Sequence, residues 1–260
     1  SRARGFLLGA TSGRTTLNGE GLQHQDGHSH ILAGTIPNCK SYDPCFSYEL
    51  AVIVKEGIRD MYELNNENYY YLTLMNENYK HEEMPQGVTD EMIMNGGYLF
   101  SSHQKADLRI LASGLTLNFA IEAKDILVKY DVYIDIWSIT SFNELYRGGI
   151  KAERQRRLNQ TKTKSYVENC FEKEMPTIAV SEYQRNYANQ IREWIKGKFV
   201  VLGTDGYGRS DTREKLREFF EISTEHLVIN ALMLVGKTKD AKDFMEKNNI
   251  VTDLEAPWER

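Results

Sequence analysis

A twelve-residue stretch, GEGLQHQDGHSH, concentrates the side chains of this sequence that can carry chemistry. It spans residues 19–30 and holds His24, Asp26, His28 and His30 among three glycines. Imidazole titrates near neutral pH, so these groups can transfer protons or bind metals. Ligand sites of parallel sheets gather in loops that follow buried strands, and this loop follows a short apolar run. The stretch therefore predicts a proton-transfer or ligand-binding loop.

Two alternatives remain for the same residues. A metal site requires side chains that converge on one ion. Gly27 interrupts the spacing between His24 and His28, so a regular helix presenting both rings is not favoured, and no Cys-rich or carboxylate-rich partner segment stands out. The other alternative is a structural polar turn whose imidazoles satisfy backbone groups.

Composition and charge narrow the class of protein. Of 260 residues, 41% are hydrophobic and 27% charged, which is normal for a soluble protein with a core. The net charge of −5, without a basic stripe interleaved with aromatics, argues against a nucleic-acid partner. No apolar run approaches the roughly 20 residues that span a bilayer, so no membrane partner is expected. Three cysteines without a CxxC pair are typical of a reducing compartment and favour a cytoplasmic location.

The strands and helices that must position the loop are predicted to form an α/β fold. Strands are predicted at RGFLLGA, 69–75, DLRILASG, VYIDIWSI, TIAVSE and KFVVLGTDG, and helices at 116–130, 141–148, 184–195 and in three segments up to about 249. Asp43 is predicted to cap a further helix with Pro44 at its first position. The basic residues 151–157 are predicted to be a solvated, mobile segment. Strand–helix alternation with short connections predicts a mainly parallel sheet with helices on both faces.

The polar stretch 76–97 contains three glycines and one proline and is predicted to be a linker. The domain boundary is therefore placed near residue 95, between segments 1–95 and 96–260. Because the sequence starts without Met and runs at once into an apolar segment, we expect it to be part of a longer chain.

Longer motifs resemble a known family. GRTTLNGEGLQHQDGHSH, IPNCKSYDP, YYYLTLMNENY, WSITSFNEL and VLGTDGYGRSDTREKLREFF follow one another as in the homodimeric bacterial pyruvate dehydrogenase (acetyl-transferring) component of the pyruvate dehydrogenase complex. That family is thiamine-diphosphate-dependent and transketolase-like. The resemblance covers nearly the whole chain and is weakest at 80–107 and 149–176. It implies that residues 1–95 are the second half of a middle, pyrimidine-binding domain. Residues 96–260 would be a doubly wound, transketolase C-terminal-like domain.

The resemblance also implies a function. Members decarboxylate pyruvate and reductively acetylate the lipoyl groups of the dihydrolipoyl acetyltransferase, using thiamine diphosphate and Mg²⁺ in a homodimer. The metal motif and the activating glutamate of the family are expected upstream of Ser1, so the fragment alone is expected to be inactive. The alternatives are part of a transketolase-like carbon-transfer enzyme and a non-catalytic docking or assembly module.

Site residues follow from the resemblance position by position. His24 matches the substrate-pocket histidine and is expected to be catalytic, as a proton donor. Asp26, His28 and His30 are expected in the substrate pocket, His28 chiefly supporting the loop. Gln25 stands where relatives often carry an acidic residue.

No residue is assigned to the cofactor or the metal. The segment Gly203–Gly206, with Asn230 downstream, imitates the metal motif, but the resemblance places it in the second segment. Ser210 or Asp211 is expected to cap the next helix, and Glu214 would complete a capping box with Asp211.

Overall fold

The computed structural model describes residues 3–259, and the predictions that involve Ser1 lie outside this range. The strands are β1 (Gly5–Ala10), β2 (Cys39–Tyr42), β3 (Tyr69–Leu74), β4 (Tyr98–Ser101), β5 (Leu108–Ala112), β6 (Ile134–Ser138), β7 (Thr177–Val180) and β8 (Phe199–Leu202). The helices are α1 (Ser29–Gly34), α2 (Ser47–Ile58), α3 (Asp90–Met94), α4 (Thr116–Leu127), α5 (Phe142–Asn159), α6 (Tyr166–Cys170), α7 (Arg185–Asn189), α8 (Arg213–Phe219), α9 (Thr224–Leu234) and α10 (Thr238–Lys247). No helix in this range is long and apolar enough to cross a bilayer.

The strands form two sheets. The smaller has the order β1-β3-β2 and is parallel throughout, with Gly5 opposite Tyr69 and Cys39 opposite the same Tyr69. The larger has the order β4-β6-β5-β7-β8. Its strands β5 to β8 are parallel, and β4 pairs antiparallel with β6. The predicted α/β fold with a mainly parallel sheet is confirmed.

Helices cover both faces of the larger sheet, as the sequence pattern predicted. One core packs strands β5, β6 and β7 against α4, α8, α9 and α10, and a second packs the opposite face against α5 and α7. Every residue of β5 and β7 is buried. Burial on both faces explains why these two central strands are mostly apolar rather than alternating, with Arg109 and Thr177 as their polar residues. Because β5, β7 and β8 are parallel, their carboxyl ends lie at the same edge of the larger sheet, and the loops that follow them begin there.

The predicted helix cap at Asp43 is wrong. Helix α2 begins at Ser47, and the side chain of Glu49 accepts hydrogen bonds from the backbone N–H groups of Cys45 and Phe46. The Asp43 carboxylate instead accepts bonds from hydroxyls of residues outside this segment. Local cap chemistry at Asp43 is therefore overridden by tertiary hydrogen bonds.

Helix α5 corrects the prediction of a mobile basic segment. It runs over 18 residues, to Asn159, and includes the whole basic stretch 151–157. Ala152 is buried on the inner face, while Arg157 and Leu158 are exposed. The basic residues therefore lie on an ordered helix whose outer face is solvated.

The stretch 76–97 is more structured than a linker. Thr89 caps α3 by accepting from the backbone N–H of Met92, and Ile93 on that helix is fully buried. Ile93 packs in one cluster with Tyr42 and Tyr98, which lie on the smaller and the larger sheet. The domain boundary near residue 95 stays a prediction.

Helix α8 begins later than expected. Its N-cap is Thr212, whose hydroxyl accepts from the backbone N–H of Lys215. The expectation of a cap at Ser210 or Asp211 with a capping box to Glu214 is wrong. Ser210 instead donates to the carbonyl of Gly19, which joins this loop to the segment before His24.

Candidate active-site loop

The residues 19–30, here called the histidine loop, lie where the two sheets meet. The loop follows β1, and its neighbours are the segments that follow β7 and β8. Gln184 donates its backbone N–H to the carbonyl of Gly27, and Gly19 donates to the carbonyl of Asp211. The carboxyl ends of strands from both sheets thus converge on this loop, which is the usual position of a site in parallel α/β structures.

His24 lies on the solvent side of the histidine loop. Its backbone N–H closes a turn onto the carbonyl of Gly21, and its side chain is 55% exposed. The ring Nε2 lies 3.9 Å from the carboxylate of Glu20, one turn earlier and equally open to solvent. His28 is also exposed, but its ring is held by Arg14 and Gln184, so the His24 ring is the more open of the two to a substrate.

Asp26 organises the backbone rather than facing outward. Its Oδ1 accepts from the N–H groups of His28 (3.0 Å) and Ser29 (2.9 Å), and its Oδ2 accepts from the Ser29 hydroxyl. A carboxylate that satisfies the first N–H groups of a helix is favoured by the helix dipole. Asp26 therefore fixes the start of α1 and, with it, the direction of the loop.

His28 is held between two side chains. Its Nδ1 lies 3.3 Å from Nη2 of Arg14, and its Nε2 lies 3.0 Å from the side-chain amide of Gln184. Arginine only donates, so Nδ1 must be the accepting nitrogen and the ring proton of the neutral imidazole sits on Nε2. The Gln184 amide then accepts through its oxygen, an orientation that exchanges its nitrogen and oxygen atoms. The two contacts select one tautomer.

His30 lies in the core behind the loop. It is fully buried, stacks on Tyr187 at 4.7 Å between centroids, and meets Tyr183 edge-on at 4.6 Å. Burial lowers its pKa to about 3, against a weaker opposite effect of Asp26, so the ring is neutral. Its Nδ1 has no partner among the described residues. The contacts are those of a packed histidine.

A polar chain runs from His30 to the larger sheet. Thr73 donates its hydroxyl to Asp43 at 2.7 Å and accepts from His30 Nε2 at 2.9 Å, while Ser113 donates to the other Asp43 oxygen at 2.8 Å. Burial raises the pKa of Asp43 to about 7, the two hydroxyls oppose this, and the buried Glu49 and Glu182 add to it. The chain connects β3 of one sheet to the end of β5 in the other.

Two charged residues of the site were missed by sequence reasoning. Arg14 is only 2% exposed and donates from Nη1 to the carbonyl of Gly206 at 2.6 Å. Glu182 is fully buried and accepts from the backbone N–H groups of Arg14 (3.0 Å) and Thr15 (2.8 Å). Burial lowers the pKa of Arg14, and nearby Asp26 and Asp205 raise it. Gly27 packs against this group, because any Cβ there would collide with the Arg14 guanidinium.

The segment that imitates a metal motif is committed to other contacts. Asp205 accepts from the backbone N–H of Arg185 at 2.9 Å and from its guanidinium at 2.6 Å, and Asn230 donates to the carbonyl of His226 within α9. Across residues 3–259 no group of three or more His, Cys, Asp or Glu side chains could hold a metal ion. The described residues do not fit a Mg²⁺ site.

The fold defines a transketolase-like class. The transketolase of Leishmania mexicana superimposes with a TM-score of 0.67 at 17% identity, over 89% of this chain and 30% of that one. The transketolase of Campylobacter jejuni gives a TM-score of 0.67 at 19% identity, over 88% and 31%. Identities this low show the fold alone.

Sequence comparisons identify the family within this class. Residues 1–82 match the model of the pyruvate dehydrogenase E1 component middle domain, and residues 96–223 match that of the transketolase-like C-terminal domain. The pyruvate dehydrogenase E1 component of Pseudomonas aeruginosa is 50% identical over 248 residues, which cover 92% of this chain and 28% of that protein. The one of Escherichia coli K12 is 44% identical over 98% of this chain and 30% of that protein. The chain belongs to the pyruvate dehydrogenase E1 component family, as its motifs implied, and spans less than a third of the length of these relatives.

Proposed function

We propose that this chain forms the histidine-loop side of the active site in a pyruvate dehydrogenase (acetyl-transferring) E1 component. The complete enzyme would decarboxylate pyruvate and transfer the acetyl group reductively to lipoyl groups of a dihydrolipoyl acetyltransferase. The observation that carries the proposal is that one loop, in a chain 44–50% identical to E1 components, exposes His24 while Asp26, His28 and His30 are held by other residues of the fold.

His24 is proposed to move the proton. Its Nε2 is the ring nitrogen nearest to Glu20, and both side chains are about half exposed. A positioned imidazole near neutral pH can deliver a proton to a substrate oxygen and recover it from solvent or from a neighbouring carboxylate. The turn at Gly21 fixes the backbone that carries this ring.

The other predicted pocket residues are proposed to hold His24 in place. Asp26 fixes the start of α1, and His28 bridges to Arg14 and Gln184, so the loop is tied down after His24. Before His24, the hydrogen bond from the Gly19 N–H to the Asp211 carbonyl ties it down. His30 anchors the end of the loop in the core through Thr73. Asp26, His28 and His30 would therefore affect turnover by positioning, with His24 in contact with the substrate.

The cofactor of the family, thiamine diphosphate, supplies the electron sink that decarboxylation of a 2-oxo acid requires. The carboxylates beside the loop do not fit its metal, because Asp26 is bonded to α1 and Asp205 to Arg185. We therefore propose that Mg²⁺ and the diphosphate are held by residues outside this chain.

The second subunit of a homodimer and the lipoyl domains of the acetyltransferase are the proposed partners, in the cytoplasm.

A chimaeric enzyme tests the function. This chain would replace the matching 248 residues of the Pseudomonas aeruginosa E1 component. We expect pyruvate-dependent, thiamine-diphosphate-dependent acetylation of lipoyl groups that is lost on His24→Ala and kept on the matched control His103→Ala, whose ring stacks on Tyr133 far from the loop in sequence. A folded, dimeric chimaera with equal activity in both variants would contradict the role of His24 and favour a docking module.

A further inference from the structure

The C-terminal segment leaves the fold and returns to it at one point. After α10 ends at Lys247, residues 251–255 are exposed and have no regular structure. Pro257 is then buried, and Trp258 is 51% exposed with one face covered. A run of exposed residues that ends in a buried proline indicates a specific anchor at Pro257 and Trp258.

The anchor lies on Gly206, in the loop that follows β8. A Cβ on Gly206 would lie 2.8 Å from the carbonyl oxygen of Pro257 and 3.0 Å from Cα of Trp258, and Gly206 has a φ of +98°. Only glycine adopts this conformation readily and allows two backbones to approach so closely. The guanidinium of Arg185 lies 4.5 Å from the centre of the Trp258 ring and also donates to Asp205. The anchor thus contacts this loop directly at Gly206 and is linked through Arg185 to Asp205.

Gly206 is linked to the histidine loop through Arg14. The Gly206 carbonyl accepts from Nη1 of Arg14, and Nη2 of the same guanidinium lies against His28. Arg14 is buried, and its Nε has no partner among the described residues. A buried guanidinium depends strongly on the few acceptors it has, so a shift of Gly206 must be followed by Arg14.

We propose that Pro257 and Trp258 are positioning residues for the histidine loop, which they clamp through Gly206 and Arg14. When Pro257 and Trp258 pack against Gly206, they hold its carbonyl in place. That carbonyl holds the Arg14 guanidinium, and the guanidinium selects the tautomer of His28. The anchor touches none of the loop histidines itself. Its effect on turnover rests on the proposed function, whereas its effect on the histidine loop does not.

Hydrogen exchange on the full 260-residue chain tests the clamp. The reporters are the amides of Gln184, which donates to Gly27, and of Arg209, which donates to the Gln25 side chain at 2.7 Å. Trp258→Ala removes a partly exposed cation–π contact worth roughly 0.5–1 kcal/mol, so exchange at both reporters should rise about two- to fivefold. Deleting residues 256–260, which also removes buried Pro257, should raise exchange further. Leu254→Ala, an exposed position on the same segment, is the matched control and should change neither reporter.

Nitrogen-15 shifts of the His28 ring give a second readout that a general loss of stability would not move. The intact chain should show the tautomer with the proton on Nε2, and the deletion variant a mixture of tautomers. Unchanged exchange at Gln184 and Arg209 together with an unchanged tautomer in the deletion variant would overturn the proposal. If the loop responds while the chimaeric enzyme shows no activity, the clamp stands and the proposed function fails.

Discussion

The side chain of Gln25 both donates to and accepts from the main chain of Arg209. Its Nε2 donates to the Arg209 carbonyl at 2.6 Å, and its Oε1 accepts the Arg209 N–H at 2.7 Å. These two hydrogen bonds join the histidine loop to the loop that follows β8. An ionised carboxylate could accept the N–H but could not donate to the carbonyl, so an amide suits this position when the side chain is 7% exposed.

Gln25→Glu should therefore destabilise the chain in a pH-dependent way. A buried acceptor left without its donor costs about 1–3 kcal/mol, and a buried carboxylate adds to that cost unless it binds a proton and donates again. We expect the melting temperature to fall more at pH 8 than at pH 5. Gln23→Glu, at an exposed position two residues earlier, is the control. Equal melting temperatures for the Gln25 variant and the parent at pH 8 would contradict the pairing.

Periodicity predicted strands β5 to β8 of the larger sheet and most of its helices, because the central strands are mostly apolar and the helices have one apolar face. It did not predict β4, the antiparallel strand at the edge of this sheet. The failures have tertiary causes. Asp43 and Pro44 carry a strong local cap signal, yet Asp43 bonds to residues 30 and 70 positions away. Helix α5 was predicted too short because its last turns are polar, which is the composition of a solvated helix face.

The sequence predicted which residues form the candidate site, but not which of their side chains face solvent. The spacing of three histidines marked the loop, yet nothing local distinguishes exposed His24 from buried His30. That difference arises because Tyr183 and Tyr187, more than 150 positions away, enclose the His30 ring. Arg14 could not be identified from sequence, because its partners Gly206 and Glu182 come from the other sheet.

The chain alone should not decarboxylate pyruvate. It spans less than a third of its relatives, and its described residues contain no cluster that could hold a metal ion. We expect no thiamine-diphosphate-dependent release of CO2 from labelled pyruvate by the purified 260-residue chain, with the chimaeric enzyme as the positive control. Robust release by the chain alone would show that the cofactor is bound and activated within it.

His30 and Asp43, which both bond to Thr73, should give opposite pH dependences of stability that largely cancel. The pKa of His30 is lowered from 6.5 to about 3, so the unfolded chain binds the extra proton and the free energy of unfolding rises as pH increases toward 6.5. The pKa of Asp43 is raised from 3.8 to about 7, so the folded chain binds the extra proton and the free energy of unfolding falls between pH 4 and 7. Each slope approaches roughly 1.4 kcal/mol per pH unit where only one state is protonated.

Urea unfolding at pH 5.0 and 6.5 separates the two contributions. Relative to the parent, Asp43→Asn should gain stability on going to pH 6.5, and His30→Gln should lose it, while the double variant should follow the parent.

Asp60→Asn is the control. Burial alone would raise the pKa of Asp60, but hydrogen bonds from Asn66, Asn68, Tyr70 and Lys40 lower it to about 2. The contribution of Asp60 to stability disappears only as pH falls from about 4 to 2. Asp60→Asn should therefore lower the free energy of unfolding by the same amount at pH 5.0 and at pH 6.5. Parallel pH profiles for all variants would contradict the titration of this pair.

His24 in the chimaeric enzyme gives the most direct test of chemistry against packing. His24→Ala should lower turnover with pyruvate roughly 10²–10⁴-fold, the range for loss of a positioned proton-transfer group. Its melting temperature should hardly change, because the ring is 55% exposed and the carboxylate of Glu20, itself half exposed, lies 3.9 Å from it. Thiamine diphosphate affinity should also stay close to that of the parent.

His28→Ala should show the reverse balance. Its ring bridges Arg14 and Gln184, so its removal should loosen the histidine loop and lower the melting temperature, with a smaller effect on the chemical step. Single-turnover decarboxylation measured beside thermal melts separates the two roles. If His24→Ala instead keeps full turnover per folded molecule and only melts earlier, the loop is a packing element and its exposed histidine takes no part in the reaction.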